Sequence, residues 1–403
     1  MVLKIAMRNM WRQKRRTILT SLTMVGGFLL AAVSIGWSDG TYSYIINMFT
    51  GDRLGHVQVH AAGYLDEPSI YARIRDYGRV GSAVAGVPGV RAWAPRVYAA
   101  GLASFGEKTS AVRINGLDPE LEHAATGFFR KVFDGRPLSG APRQALLGRG
   151  LARILGTAPG DAVVVLSQAA DGSMANDLFD VAGIVDTGDE AADRMDLYLN
   201  LGAAQEFLSI GGDVHEIAVL VDDLKGVGRV TEAIRAELGD AELEVLPWQQ
   251  VARSFYDAMQ ADRQGMWIML GIIILIVAVG VLNTVLMSVL ERRREYGLLL
   301  AVGTRPGTIV SLVLGELLGI VLVSVAAGAL LSVAVNWILS IHGIPMPMSL
   351  SFGGVTFDRM YSEVNLRSLV IPAATVAAAA MAVGIFPACN AARTEPARAM
   401  RTF

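Results

Sequence analysis

The chain has 403 residues, 53% of them hydrophobic and only 18% charged. Soluble domains carry about 25% charged residues, so this balance leans away from an ordinary soluble enzyme and towards a membrane protein. The net charge of −2 hides a segregation along the chain, and the single cysteine, Cys389, excludes an intramolecular disulfide and a metal–thiolate cluster.

The first expected element is an amphipathic helix over residues 1–17. In VLKIAMRNMWRQKRRT, Leu3, Met7, Met10 and Trp11 share one helical face, while Lys4, Arg8, Arg12 and Arg15 cover the other. Such a helix lies along the inner leaflet. Four segments then have the roughly 20 apolar residues needed to span a bilayer: 18–37, 266–290, 309–341 and 369–388. The first is longer than the apolar stretch of about 7–15 residues in a signal peptide, and no small-x-small cleavage site closes it. It is read as a span that continues upward as a stalk through Tyr44, Ile45, Met48 and Phe49. From Pro247, suited to a first helical turn, nothing in the sequence interrupts a helix up to Leu290. That predicts a second stalk above the second span.

Basic residues set the orientation. Six Lys/Arg lie in 1–17, four in 291–308 and three after Ala388, against only Glu291, Glu295 and Glu395. Residues 48–265 carry 20 Lys/Arg and 30 Asp/Glu. Positive segments stay in the cytoplasm, so both termini are expected inside. The expected organisation is a cytoplasmic helix over 1–17, a first span with stalk over 18–47, an extracytoplasmic domain over 48–246 and a stalk with second span over 247–290. A cytoplasmic segment over 291–308, a third span over 309–341, an outer loop over 342–367, a fourth span over 368–390 and a tail over 391–403 complete it. The fold class is a membrane protein of four transmembrane α-helices with a large α+β extracytoplasmic domain between spans 1 and 2.

Within that domain, HVQVH, DAVVVLSQ and HEIAVLV read as strands, and ALLGRGLARILG and TEAIRAEL as helices. GTAPGDAVVVLSQAADGSMANDLFDVAGIVD reads as turn, strand, turn, strand. His56, His60, His123, His215 and His342 show no HExxH spacing, and His56 and His60 read as surface positions of a strand, so no metal site is expected. GLASFGEKTS resembles the phosphate loop GxxxxGK[ST], but Glu107 occupies the lysine position and would face phosphate with a carboxylate; it is read as a hairpin turn. LSGAP, over 138–142, only faintly echoes an ABC signature and lies on the same outer side. No catalytic triad pattern stands out. Inside the spans the ionisable residues are Asp39, at the outer end of the first, and Glu316, early in the third; the latter is expected to pair with another helix rather than to bind an ion. Gly315, Gly319 and Gly328 are expected to allow close helix packing.

The segment ERRREYGLLLAVGTRPGTIV, over 291–310, sits between two apolar runs. Topology anchoring needs the arginines but not the apolar turns that follow. A short apolar-plus-basic helix offered to the cytoplasm is a surface for a partner protein. Arg292, Arg293 and Arg294 are expected to hold it at the membrane face, with Glu295 pairing with a partner or a neighbouring arginine. Leu298, Leu299 and Val302 supply the apolar contact, and Gly303 and Pro306 end the helix.

Together these stretches resemble the permeases of the macrolide-exporter, lipoprotein-releasing and cell-division group of ABC transporters (MacB, LolC/LolE, FtsX). LNTVLMSVLERRREYGLLLAVGTRPGTIV resembles the group's run N-T…M-S-V-x-E-R-x-x-E-x-G-x-L-x-A-x-G. FPACNAARTEPARAMR resembles its ending, LKIAMRNMWRQKRRTILT its opening, and GRGLARILGTAPGDAVVV a stretch of its outer domain. The resemblance covers the whole chain. It implies a non-catalytic four-span permease of the mechanotransmission (type VII) kind, without an alternating-access pore. Its partners would be a cytoplasmic ATPase dimer holding ATP and Mg²⁺, a second permease copy or paralogue, and the lipid bilayer; no cofactor is implied on this chain, and no nucleic acid.

The layout, with its large outer domain and GDRLGHVQVHAAGY after the first span, is most similar to the lipoprotein-releasing branch in the bacterial inner membrane. An exporter working with a periplasmic adaptor and an FtsX-like signal transmitter are the alternatives. A lipoprotein drawn from the outer leaflet would need an apolar slot between the first and second spans of two protomers. Trp37, Tyr44 and Met48 on one side and Met259, Met266 and Met269 on the other are the candidates, since methionine adapts to a variable chain. A receptor would need a larger cytoplasmic output domain, and a secondary transporter more spans and repeats.

Overall fold

The computed structural model describes residues 14–352 and 355–395. The expected N-terminal amphipathic helix and the end of the tail fall outside the described residues. The chain divides into two compact units: one takes the described residues up to Ser43, Met259–Met346 and those from Arg359, the other Tyr44–Ala258 and Pro347–Asp358.

Four long helices dominate the first unit: α1 (Lys14–Phe49), α2 (Arg253–Glu291), α4 (Pro306–His342) and α5 (Leu366–Ala392), with the short α3 (Arg293–Ala301) between α2 and α4. All four long helices have the length and apolar composition to cross a membrane. At 1.5 Å per residue the 36 residues of α1 span about 54 Å and the 39 of α2 about 58 Å. Both exceed the roughly 30 Å hydrocarbon core. The helix into the second span is interrupted, contrary to the unbroken pattern expected from Pro247. Trp248–Val251 is a separate turn, and Ala252 leaves helical geometry at φ −101°, ψ 50° before α2 begins. No glycine or proline marks that break, so the sequence carries no signal for it.

The helices pack through one apolar seam. Met24, Phe28 and Ala32 of α1 meet Val277 and Val281 of α2, Leu317 and Val321 of α4, and Val376 and Ala380 of α5. Without a hydrophobic force between helices in lipid, such seams rely on close van der Waals fit and small residues. Gly328 meets that expectation, because a Cβ there would come within 2.9 Å of the Phe28 ring. Gly315 faces open space.

In the second unit a mixed sheet is built from β1 (Val57–Ala61), β2 (Val90–Phe105), β3 (Lys108–Leu117), β4 (Val132–Gly135), β5 (Gln144–Gly148), β6 (Ala162–Gln168), β7 (Met174–Val185), β8 (Asp196–Asn200), β9 (Glu216–Val221) and β10 (Leu243–Pro247). The order is β10-β1-β9-β2-β3-β8-β5-β7-β4, with β6 paired to β2 and β7. The pairs β3–β8 and β5–β7 are parallel and the others antiparallel. Helices Tyr77–Ala85, Pro119–Ala125, Arg149–Leu155 and Val227–Leu238 complete an α+β domain. ALLGRGLARILG, read as wholly helical, is instead β5 followed by a helix from Arg149. GLASFGEKTS is the β2–β3 hairpin: Phe105 pairs with Lys108, and Gly106 takes the positive φ (+59°) that a two-residue turn requires. The segment expected as a plain outer loop holds a second hairpin, β11 (Ile344–Phe352) with β12 (Val355–Met360).

The strand histidines are buried, not on a surface. His56 Nδ1 accepts the Val221 N–H at 2.9 Å, and His215 Nδ1 accepts the Tyr98 N–H at 3.0 Å. Each bond needs an unprotonated Nδ1. Burial, aided by the charge of Arg91, pushes His56 down to about 4, and burial also lowers His215. Both groups are depressed bases, so as pH falls below about 6.5 the unfolded chain takes up protons first. Stability present at pH 7 is therefore lost towards pH 4, by about 3 kcal/mol for His56 alone. Hydrogen exchange at Val221, corrected for its intrinsic rate, should accelerate between pH 7 and 4.5. A pH-independent opening free energy there would contradict this account.

Candidate functional site

The segment between the second and third spans is built on one arginine. α2 ends at Glu291, and Arg292 leaves helical geometry (φ −100°, ψ 14°) before α3 begins at Arg293. Its guanidinium donates from Nε to Glu295 at 2.9 Å and from Nη1 to both oxygens of Glu316 at 2.9 and 2.8 Å. It also lies over the Tyr296 ring, 5.5 Å from the centroid. Only 12% of the Arg292 side chain and 14% of that of Glu316 is exposed. One planar fork thus ties the end of α2, the first turn of α3 and the third turn of α4, as bidentate guanidinium geometry allows.

Tyr296 is the second anchor. It is buried to 1% and packs in the helix seam with Ile309, Leu312, Ala388 and Ala391. Residues one turn on point the other way: Leu298, Leu299 and Val302 are 58%, 39% and 80% exposed. α3 therefore has a face held by the bundle and an apolar face left open. Gly303, at φ +96°, reverses the chain in the left-handed region, and Pro306 starts α4. Arg293 and Arg294 are exposed. The three arginines that look alike in sequence are thus not equivalent.

The other intramembrane acid is also paired. Asp39 of α1 accepts from Asn365 Nδ2 at 3.0 Å and Arg367 Nη1 at 3.4 Å, with Arg263 Nη2 at 3.9 Å. These partners lie far from Asp39 in sequence, and an acid near a span end is the one local sign of them. Of the candidate slot residues, Trp37 and Met269 are exposed on α1 and α2, whereas Met259 is buried. Met266 packs against the cluster of Ala31, Ile35 and Leu270. Tyr44 is exposed, and Met48 lines a cavity of the second unit.

The family of the MacB-like periplasmic core domain matches residues 17–237, more than half of the chain, and the FtsX-like permease C-terminal family matches 267–396, which includes the Arg292 site. The chain belongs to the MacB/LolC/FtsX group of ABC transporter permeases. The permease is 23% identical to the lipoprotein-releasing system transmembrane protein LolC of Neisseria meningitidis serogroup B, over 98% of both chains. It is 35% identical over 122 residues to the macrolide export ATP-binding/permease protein MacB of Hahella chejuensis, covering 30% of this chain and 16% of that one. The periplasmic region of MacB from Actinobacillus actinomycetemcomitans matches 50% of this chain and 93% of its own at 15% identity, with a TM-score of 0.37.

Proposed function

We propose that this permease carries ATP-driven work across a bacterial inner membrane, most specifically the release of lipoproteins, with hydrolysis supplied by separate cytoplasmic ATPase subunits that grip α3. The observation that carries this reading is the two-faced α3: an open apolar triad beside a guanidinium that locks the same helix to two spans. Displacement of Leu298, Leu299 and Val302 by a moving partner passes through Arg292 and Tyr296 into α2 and α4. Helix α2 then moves as a rod, because its hydrogen bonds make axial bending costly compared with tilting. The similarity to LolC over nearly the whole chain supports lipoprotein as the cargo.

A central apolar anchor of an interface contributes about 2 kcal/mol or more. Leu299→Ala combined with Val302→Ala should therefore weaken ATPase pull-down by roughly ten-fold or more. In proteoliposomes holding both components, release of a fluorescent triacylated lipoprotein to a soluble acceptor should fall in parallel. Wild-type pull-down and release by the double variant would leave 291–308 as a topology anchor only. Release absent from the wild type, with ATPase coupling intact, would shift the cargo assignment towards export.

The same proposal places both termini and α3 in the cytoplasm. In a Cys389→Ser background, a cysteine at Ser173 should react with an impermeant maleimide added to intact spheroplasts, and one at Thr304 only after lysis. Labelling at 304 in intact spheroplasts would reverse the orientation.

A further inference from the structure

The outer domain holds a cavity of about 390 Å³, within the range of about 300–1,000 Å³ typical of small-molecule sites. We propose that it binds a small ammonium-bearing molecule with an apolar body. Nothing in the permease mechanism above uses it.

Most of the polar wall is paired within itself, and one carboxylate oxygen is left over. Arg96, buried to 4%, gives Nε and Nη2 to Glu122 at 3.0 and 2.7 Å and Nη1 to Glu216 at 3.1 Å. Arg113 puts its fork on Asp196 at 2.6 and 2.8 Å. The amides of Gln58 and Asn115 donate to backbone carbonyls, at 2.7 Å to Leu54 and 3.0 Å to Arg113. Glu216 is the exception that invites a ligand. It is 4% exposed, its Oε1 takes the Arg96 bond, and its Oε2 stands 3.8 Å from His60 Nε2, beyond hydrogen-bond reach. A carboxylate has about four acceptor sites, and a buried one left short of donors is costly. A ligand that brings N–H groups and positive charge satisfies it; an anion would face Glu122, Glu216, Asp189 and Asp196 against only three cationic side chains.

Aromatic rings share the cavity wall with this carboxylate. Tyr64 stacks between His60 and His215, with centroids 5.1 and 5.8 Å apart, and Tyr98 and Tyr198 also line the cavity. The two imidazoles take the faces of Tyr64, so any ring attraction for an ammonium group falls to Tyr98 and Tyr198, in addition to the carboxylate. The remaining wall is apolar, from Leu54, Leu65, Leu117 and Phe128, with Met48 and Phe49 from the last turn of α1. An amine with a hydrocarbon body matches this division. Its body would touch the end of a membrane helix.

The test uses the full chain in nanodiscs, with phenethylamine and its same-shaped acid, 3-phenylpropionate, as probes. Saturation-transfer NMR, referenced to empty nanodiscs, should show saturable amine binding roughly ten-fold tighter than acid. Leu65→Trp, at the half-open rim, should weaken the amine by roughly ten-fold without shifting the unfolding midpoint. Glu216→Gln should erase the preference for amine over acid. No saturable amine binding, equal binding of the acid, or amine binding unchanged in Leu65→Trp would each overturn the assignment. Should Glu216→Gln fail to fold, the rim variant and the acid comparison decide.

Discussion

Arg292→Ala is expected to lower ATP-driven transport by roughly ten-fold or more while membrane insertion and the outer domain stay intact. Truncation leaves Glu316 and Glu295 without their shared guanidinium in a place that is mostly shielded from water. Removing one partner of a buried pair costs about 3–5 kcal/mol, and partial exposure brings that towards the lower end. The cost falls on the joint between α2, α3 and α4, so α3 loosens from the two spans. ATPase pull-down should change far less, because the apolar triad remains. Arg292→Lys should restore only part of the coupling, since an ammonium cannot hold two carboxylates in one plane. Arg293→Ala and Arg294→Ala, at exposed positions, should stay within about 0.5 kcal/mol of wild type in stability. A double-mutant cycle over Arg292→Ala and Glu316→Ala should show a coupling of about 1–3 kcal/mol in thermal stability. Strictly additive effects, or wild-type transport by Arg292→Ala, would refute the joint.

In the outer domain, Arg96→Ala should be the most damaging single change. Its guanidinium lies between Glu122 and Glu216, all three buried to within a few per cent. Without it two largely buried carboxylates face each other in the cavity wall, and at least one must take up a proton or draw in water. The expected loss is about 3–5 kcal/mol, a large part of the 5–15 kcal/mol that holds a typical domain together. Limited proteolysis of the full chain should then cut within Tyr44–Ala258 at temperatures where the wild type resists. Replacing all three by Met, Leu and Leu should recover most of the loss, because the desolvation cost goes with the charges. A triple variant no more stable than Arg96→Ala would mean that packing, not charge, dominates there.

Local pattern alone determined a good deal of this protein. Four apolar runs of bilayer length, the strands of HVQVH and HEIAVLV, the β6–β7 hairpin and the helix ended by Gly303 all follow from periodicity and turn chemistry within a few residues. The apolar triad at the end of α3 was legible for the same reason: Leu298, Leu299 and the capping Val302 stand between a charged start and a glycine stop. What depended on distant residues was not. Which of three consecutive arginines would pair with Glu316 depends on the break at Arg292 and the direction in which α4 returns. Whether His56 and His60 lie on a surface or in a core depends on β1 being covered on both sides by β9 and β10 and the layers around them. The partners of Asp39 and the Glu216 cavity wall join segments more than 150 residues apart in places, and a sequence read along its length contains no term for such contacts. Hydropathy and turns act between near neighbours, so the sequence alone could state them. Charge pairing and burial act through space, and only the folded chain decided them.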